Sequence, residues 1–189
     1  VKAIDGYTYY MASALLDKVL SPLAKEEGEK AYEILETFTG SQLEYKEYEP
    51  LFDFVQPICD KQHKKAFFVM CDNYVTMSDG TGVVHCAPAF GEDDARVGRR
   101  YDLPFVQLVD SKGNMSDVTP YAGIFVKKAD PIILTDLDKA GLLFDAPKFE
   151  HDYPFCWRCD TPLLYYARES WFIKMTDVRD DLIRNNKRS

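Results

Sequence analysis

A mixed α+β fold, mainly β, in the form of a small distorted β-barrel with peripheral helices is the architecture this sequence predicts. Three observations carry it. Short apolar or aromatic runs bounded by turn residues recur along the chain, as strands do. Segments with helical spacing fall between those runs without a regular βαβ rhythm, which argues against a doubly wound parallel sheet. The 189 residues contain no internal repeat and are 46% hydrophobic and 14% aromatic. That is the composition of a globular domain with a core, unlike a disordered or low-complexity chain.

Taken in order, Tyr7-Thr8-Tyr9-Tyr10-Met11 is β-rich, and Ala12 to Leu20 places Leu15, Leu16, Val19 and Leu20 at helical spacing. Lys25 to Asp53 holds three Lys against nine Asp and Glu, a solvated outer face around a strand near Tyr32 to Phe38. Ala66 to Cys71 reads as a short buried strand. Ser78 to Gly82 is a turn cluster, and Val83 to Cys86 a second strand, ended by Pro88. Gly91 opens a helix to about Arg100, with acids placed to complement its dipole. Pro104 to Val109 is a further strand, with a turn over Ser111 to Asn114. Ala129 to Ala140 is a helix stopped by Gly141. Leu163 to Ala167 and Trp171 to Ile173 are strands, and Asp177 to Asn186 a terminal helix. Composition shifts near Glu150, so residues 1–150 are expected to form the body and 151–189 a segment returning toward something larger.

A formal charge of −8 argues against a protein that coats nucleic acid by general basicity. No apolar run approaches the roughly 20 residues that span a bilayer, so no membrane partner is expected. Cys59, Cys71, Cys86, Cys156 and Cys159 are too few, and odd in number, for a disulfide scaffold; a reducing, cytoplasmic setting is expected. The start, Val1-Lys2-Ala3-Ile4-Asp5, has neither an initiator Met nor a signal-peptide pattern and reads as part of a longer polypeptide.

The most unusual stretch is Gly80-Thr81-Gly82-Val83-Val84-His85-Cys86-Ala87-Pro88-Ala89-Phe90-Gly91-Glu92-Asp93-Asp94. Glycines and a proline bracket a strand, a tight loop and a helix start, which gathers backbone amides and side chains at a strand end. His85 and Asp94 stand at the two ends of that loop as candidate site residues. Both also have plain structural readings: a core histidine bonded to a backbone carbonyl, and an acid that complements a helix N-terminus. Cys86 is disfavoured as a nucleophile paired with His85, because adjacent strand residues point to opposite faces.

The run GTGVVHCAPAFGEDD resembles the editing domain of class I isoleucyl-tRNA synthetases, the connective insertion in their catalytic domain. Tyr153 to Leu163, with its Cys-Trp-Arg-Cys, and Glu169 to Lys174 are similar to the point where that insertion rejoins the catalytic core. Valyl and leucyl relatives keep the GTG and the final Asp but usually not this His or the Ala-Phe-Gly, which favours isoleucyl. The resemblance implies the valyl/isoleucyl/leucyl editing-domain fold and hydrolysis of valine from mischarged tRNA(Ile). It implies that Asp94 binds the α-ammonium of the misattached amino acid, a charge-assisted contact, and that His85 shapes the side-chain pocket. His85 as general base is held below that role. Gly80, Thr81 and Gly82 are expected to let backbone approach the terminal adenosine, and Ala87, Pro88 and Phe90 complete the substrate-binding set. Phe90 and Tyr101 are candidates for stacking on tRNA bases, although core packing is the commoner fate of an aromatic. The chemistry answers a real need. One methylene is worth only about 1–3 kcal/mol of discrimination, a limit for which isoleucyl-tRNA synthetase is itself the standard illustration. An aminoacyl ester is already activated, so orienting it beside a water supplies much of the rate.

The family pattern includes a threonine-rich strand facing the His-and-Asp loop. Here Thr37, Thr39 and Thr76 are scattered and do not match it, so the chain is expected to begin after that motif and to carry one wall of the site. Two alternatives stand beside the editing reading: a non-catalytic module that positions the tRNA 3′ end, and an editing domain of a valyl or leucyl relative. Cys156-x-x-Cys159 has the spacing of half a zinc site, and Cys59 with His63 is a loose pair not tied to it. No cofactor is expected within this chain; zinc is expected only with ligands from outside it. The expected partners are the tRNA(Ile) 3′ acceptor end carrying valine and the rest of the synthetase polypeptide.

Overall fold

Asp5-Gly6 turns the first residues back on themselves, with Gly6 at φ +93°. The Ala3 N–H donates to Tyr7 O at 2.9 Å and the Tyr9 N–H to Val1 O at 2.8 Å. This computed structural model describes residues 1–148 and 150–188. The outer edge of the turn, β1 (Lys2–Ala3), pairs antiparallel with β2 (Tyr32–Glu33), Lys2 opposite Glu33 and Ala3 opposite Tyr32. Asp-Gly is a strong hairpin signal, yet β1 was absent from the sequence expectation.

The helical spacing after Ala12 becomes α1 (Leu16–Leu20), extended at both ends by single tight turns over Ser13–Leu15 and Ser21–Leu23. Leu16 and Leu20 pack with Ala3 as a buried cluster, ringed by Val1, Tyr9, Met11, Val19, Leu23 and Tyr32. Complete burial of Leu20 contributes about 1.5–3 kcal/mol. A helix not foreseen, α2 (Gln56–Gln62), begins with a proline in its first turn and ends at His63 in the left-handed region, φ 52°. α3 (Glu92–Arg100) and α4 (Val126–Lys139) follow. α4 begins three residues before the expected start. The Gly141 N–H closes its end on Asp138 O at 2.9 Å, with Gly141 at φ +69°. α5 (Met175–Asn186) begins two residues early.

The expected β-barrel is not what the chain forms. Among the described residues the only sheet has two strands of two residues each; of the remaining strand-like runs, those near Thr8, Phe68 and Val109 touch a neighbour at a single bridge, and Val83 to Cys86, Leu163 to Ala167 and Trp171 to Ile173 make none. The physical causes are local. Ala66 to Cys71 does meet the Tyr45–Tyr48 region: Tyr45 N–H donates to Val69 O at 2.8 Å and Tyr48 N–H to Phe67 O at 3.0 Å. Tyr45 and Phe67 both lie in the left-handed region, φ 64° and 58°, which breaks the pleat after one bridge. Phe155 bridges Pro162, which has no N–H to continue a ladder. Val83 and Val84, expected in a strand, are exposed and unbridged. Hydrophobic alternation reports which residues suit a sheet, not whether a partner strand is present.

The accessible surface agrees. It is 14,990 Å², whereas a compact monomer of 21.7 kDa has roughly 9,200 Å². Beyond residue 150 the side chains are mostly exposed. That segment touches the body where the Ala167 N–H donates to Ala89 O at 2.7 Å, and where Lys127 lies 4.9 Å from the Tyr153 ring centre. No helix among the described residues is long and apolar enough to cross a membrane.

Candidate functional site

The glycine-rich run and α3 meet through contacts that the sequence did not reveal. Gly91 caps α3 in extended conformation, and the Ala95 N–H closes the first turn on Gly91 O at 2.8 Å. Glu92, Asp93 and Asp94 occupy that turn and Arg99 and Arg100 the last, each suited to its end of the helix dipole. Gly98 is buried on the inner face. A Cβ there would stand 2.8 Å from Pro88 Cγ, so the proline of the loop seats directly on bare helix backbone.

Asp94 is half-buried, and both its oxygens accept hydrogen bonds. Tyr74 donates its phenol to Oδ1 at 2.8 Å, and the Ala87 N–H donates to Oδ2 at 3.1 Å. Burial first, then the bond to Asp94, pushes the Tyr74 phenol well above its ordinary pKa. The Cys86 thiol points to the backbone carbonyl of Asp94, 3.8 Å away. Burial, with the Asp94 charge added, raises it to about 11. Burial and the neighbouring charge thus disfavour the thiolate that a nucleophilic Cys86 would need.

Beneath Asp94 lies a group that pattern reading missed. Asp72, its side chain 6% exposed, accepts from Arg96 through both oxygens at 3.0 Å, and Arg100 Nη1 stands 2.9 Å from Oδ2. Arg96 also reaches Asp93 at 3.1 Å. The Arg96 bonds above all hold the Asp72 carboxyl at about 2, against the opposing effect of burial. The Tyr74 N–H donates to Asp72 Oδ1 at 3.2 Å. Asp72, the two arginines, α3, Asp94 and Tyr74 thus close a ring of contacts. The available signal was Arg96 and Arg100 at i,i+4 on one helix face, a spacing that calls for an acidic partner.

The other candidates are dispersed around this ring. His85 is exposed and has no hydrogen bond among the described residues. Gly82 lies at φ +76° with its Cα against Ala12, where a Cβ would come within 2.5 Å of Ala12 Cβ. The Ala12 N–H donates to Thr81 O at 2.8 Å, and Lys18 holds Asp79 at 2.7 Å. Gly80, Thr81 and Gly82 are thereby docked on the chain leading into α1. Ala87, Pro88 and Phe90 are half-buried between loop and helix. Tyr101 faces inward: its ring packs on Tyr45 and Phe68 and its hydroxyl accepts from the Cys71 N–H at 3.1 Å. A groove of about 570 Å³ opens elsewhere, lined by Asp17, Ser21, Ala31 and Tyr32 among others.

Cys156 and Cys159 sit on one tight turn. The Cys156 N–H donates to Thr161 O and the Asp160 N–H to Cys156 O, both at 2.9 Å, with Asp160 at φ 50°. Hydrogen bonding, chiefly with Thr161 and then with Cys156, lowers the Cys159 thiol pKa. Two thiols on such a turn suit half of a sulfur-rich zinc site. No set of three or more His, Cys, Asp or Glu placed to hold a metal occurs among the described residues. Cys59 is 1% exposed inside α2, with His63 at the helix end. All five cysteines are free.

No family model matches the chain. Curated relatives do. The isoleucine–tRNA ligase of Clostridium novyi is 50% identical over 185 residues, covering 97% of this chain and 17% of the relative. That of Clostridium acetobutylicum is 53% identical over 185 residues, covering 97% and 16%. That of Picrophilus torridus, more distant, is still 39% identical over 184 residues, covering 97% and 17%. The chain is thus a homologue of class I aminoacyl-tRNA synthetases. Within them it belongs with the isoleucine–tRNA ligases, of whose length it spans about a sixth.

Proposed function

We propose that this chain is the editing unit of an isoleucine–tRNA ligase and hydrolyses valine from mischarged tRNA(Ile). The observation that carries the reading is the fixed carboxylate of Asp94 inside the GTG…EDD run. Asp94 anchors the α-ammonium of the esterified amino acid, His85 bounds the side-chain pocket, and Phe90 and the Gly80–Gly82 backbone meet the terminal adenosine. The ester is held for attack by water, with the tRNA 3′ end and the rest of the ligase as partners. Aminoacylation itself belongs to the whole enzyme. Cys156 and Cys159 are the residues of this chain that would hold zinc jointly with ligands outside it, and zinc there would be structural.

Deacylation of valyl-tRNA(Ile) by the intact ligase tests this. Asp94→Ala is expected to slow it at least tenfold, the loss of one charge-assisted anchor of about 1.5–3 kcal/mol. An Asp94→Ala ligase that edits at the full rate removes the assignment. The exposure of His85 favours a second reading, a non-catalytic module that positions the tRNA 3′ end. Under that reading both His85→Ala and Asp94→Ala leave the deacylation rate unchanged and weaken tRNA binding alone.

A further inference from the structure

We propose that Tyr74 is a positioning residue for Asp94: its phenol, with the Ala87 N–H and the bare face of Gly91, fixes the carboxylate to receive the ammonium group of the esterified amino acid. The inference rests on the role given to Asp94 above.

The terminal torsion of an aspartate is soft, so an unrestrained carboxylate rotates broadly. Here each oxygen has its own donor, Tyr74 on Oδ1 at 2.8 Å and Ala87 on Oδ2 at 3.1 Å, which sets the plane of the group. A carboxylate offers about four lone-pair sites, so two remain for a ligand. Gly91 supplies the room. A Cβ on it would lie 2.8 Å from Asp94 Oδ2 and 3.1 Å from Cγ, displacing the carboxylate from this position. The backbone at Gly91, φ −138°, is ordinary extended chain that any residue adopts, so the space is what glycine provides there. Tyr74 is itself fixed, because its N–H is held by Asp72 and Asp72 by Arg96 and Arg100 of the helix that carries Asp94. Burial and the Asp94 charge keep the phenol protonated, so it stays a donor across the physiological range.

The test uses the intact ligase and two non-hydrolysable probes, valyl-adenosine joined by an amide and its N-acetyl form, which has no ammonium group. Calorimetry gives each dissociation constant. Tyr74→Phe is expected to weaken the free-amine probe about fivefold, the size of one hydrogen bond, and to leave the N-acetyl probe unchanged. Gly91→Ala is expected to show the same selectivity, and it serves if the tyrosine variant folds poorly. Equal weakening of both probes, or of neither, overturns the positioning role. If Asp94→Asn leaves free-amine binding intact, the role of Asp94 itself fails, an outcome distinct from failure at Tyr74 alone.

Discussion

Arg96 holds Asp72 from two sides of its guanidinium, Nη1 on Oδ2 and Nη2 on Oδ1, each at 3.0 Å. Such paired contacts combine charge with fixed geometry, and they fasten α3 to the stretch that carries Tyr74. The Asp72 pKa is depressed to about 2, against about 3.9 in an unfolded chain. A depressed carboxyl stabilises the folded state fully above the unfolded value and loses that contribution as pH falls through the folded one. The expected outcome is a gap in melting temperature between the native sequence and Asp72→Asn that is widest above about pH 4 and narrows toward pH 2. Thermal unfolding followed by circular dichroism across that range measures it, and a gap independent of pH would falsify the linkage.

Gly82 and Gly80 separate two costs of a side chain. Both have positive φ, +76° and +68°, but a Cβ at Gly82 meets Ala12 at 2.5 Å whereas one at Gly80 meets open space. Gly80→Ala is expected to cost about 1–2 kcal/mol from backbone conformation alone. Gly82→Ala adds a clash worth a further 1–3 kcal/mol or so. Urea unfolding midpoints should rank the two accordingly; equal losses would show that the loop is not pressed against Ala12.

How far the sequence foretold this arrangement depends on the kind of signal. α3 was legible at both ends, a helix opened by Gly91 and running to about Arg100, because Gly91, the acids and the terminal arginines mark those ends chemically. α4 and α5 were legible as helices but not in their starts, since neither has a capping side chain to announce one. The barrel was misread because Ala66 to Cys71 has strand composition while Phe67 takes a left-handed conformation that composition does not encode. In the site, Asp94 was visible through its motif. Tyr74 and Asp72 were not, since their roles arise from contacts across 20 and 24 residues of sequence.

Pro88 on Gly98 gives a packing test independent of charge. A Cβ at Gly98 would stand 2.8 Å from Pro88 Cγ and 3.0 Å from its Cβ. Alanine gains about 1 kcal/mol of helix propensity over glycine, yet the overlap costs about 1–3 kcal/mol. Gly98→Ala is expected to be neutral to destabilising despite lying in a helix, and its paired variant Gly98→Ala with Pro88→Ala to recover stability. A clear gain in stability for the single change would contradict this packing.

The cysteines should differ in reactivity by environment. Cys86 is raised to about 11 and Cys59 is raised by burial, whereas Cys159 is exposed and lowered. With iodoacetamide at pH 7.5, Cys159 is expected to be alkylated first and Cys86 at least about tenfold more slowly, since thiolate fraction sets the rate. Peptide mapping by mass spectrometry reads the order directly. Early labelling of Cys86 would mean that the contact with the Asp94 carbonyl does not persist in solution.

Both tryptophans of the sequence lie beyond residue 150, Trp157 at 85% and Trp171 at 103% exposed. Indole emission in this chain therefore reports the water around the C-terminal segment and says little about the core at Leu16 and Leu20. Unfolding of the body should pass almost unseen in tryptophan fluorescence while tyrosine signals register it. Any surface that covers Trp171 should announce itself as a blue shift. The chain carries, in effect, a built-in dye for its own docking, placed where it does not interfere with a reading of its fold.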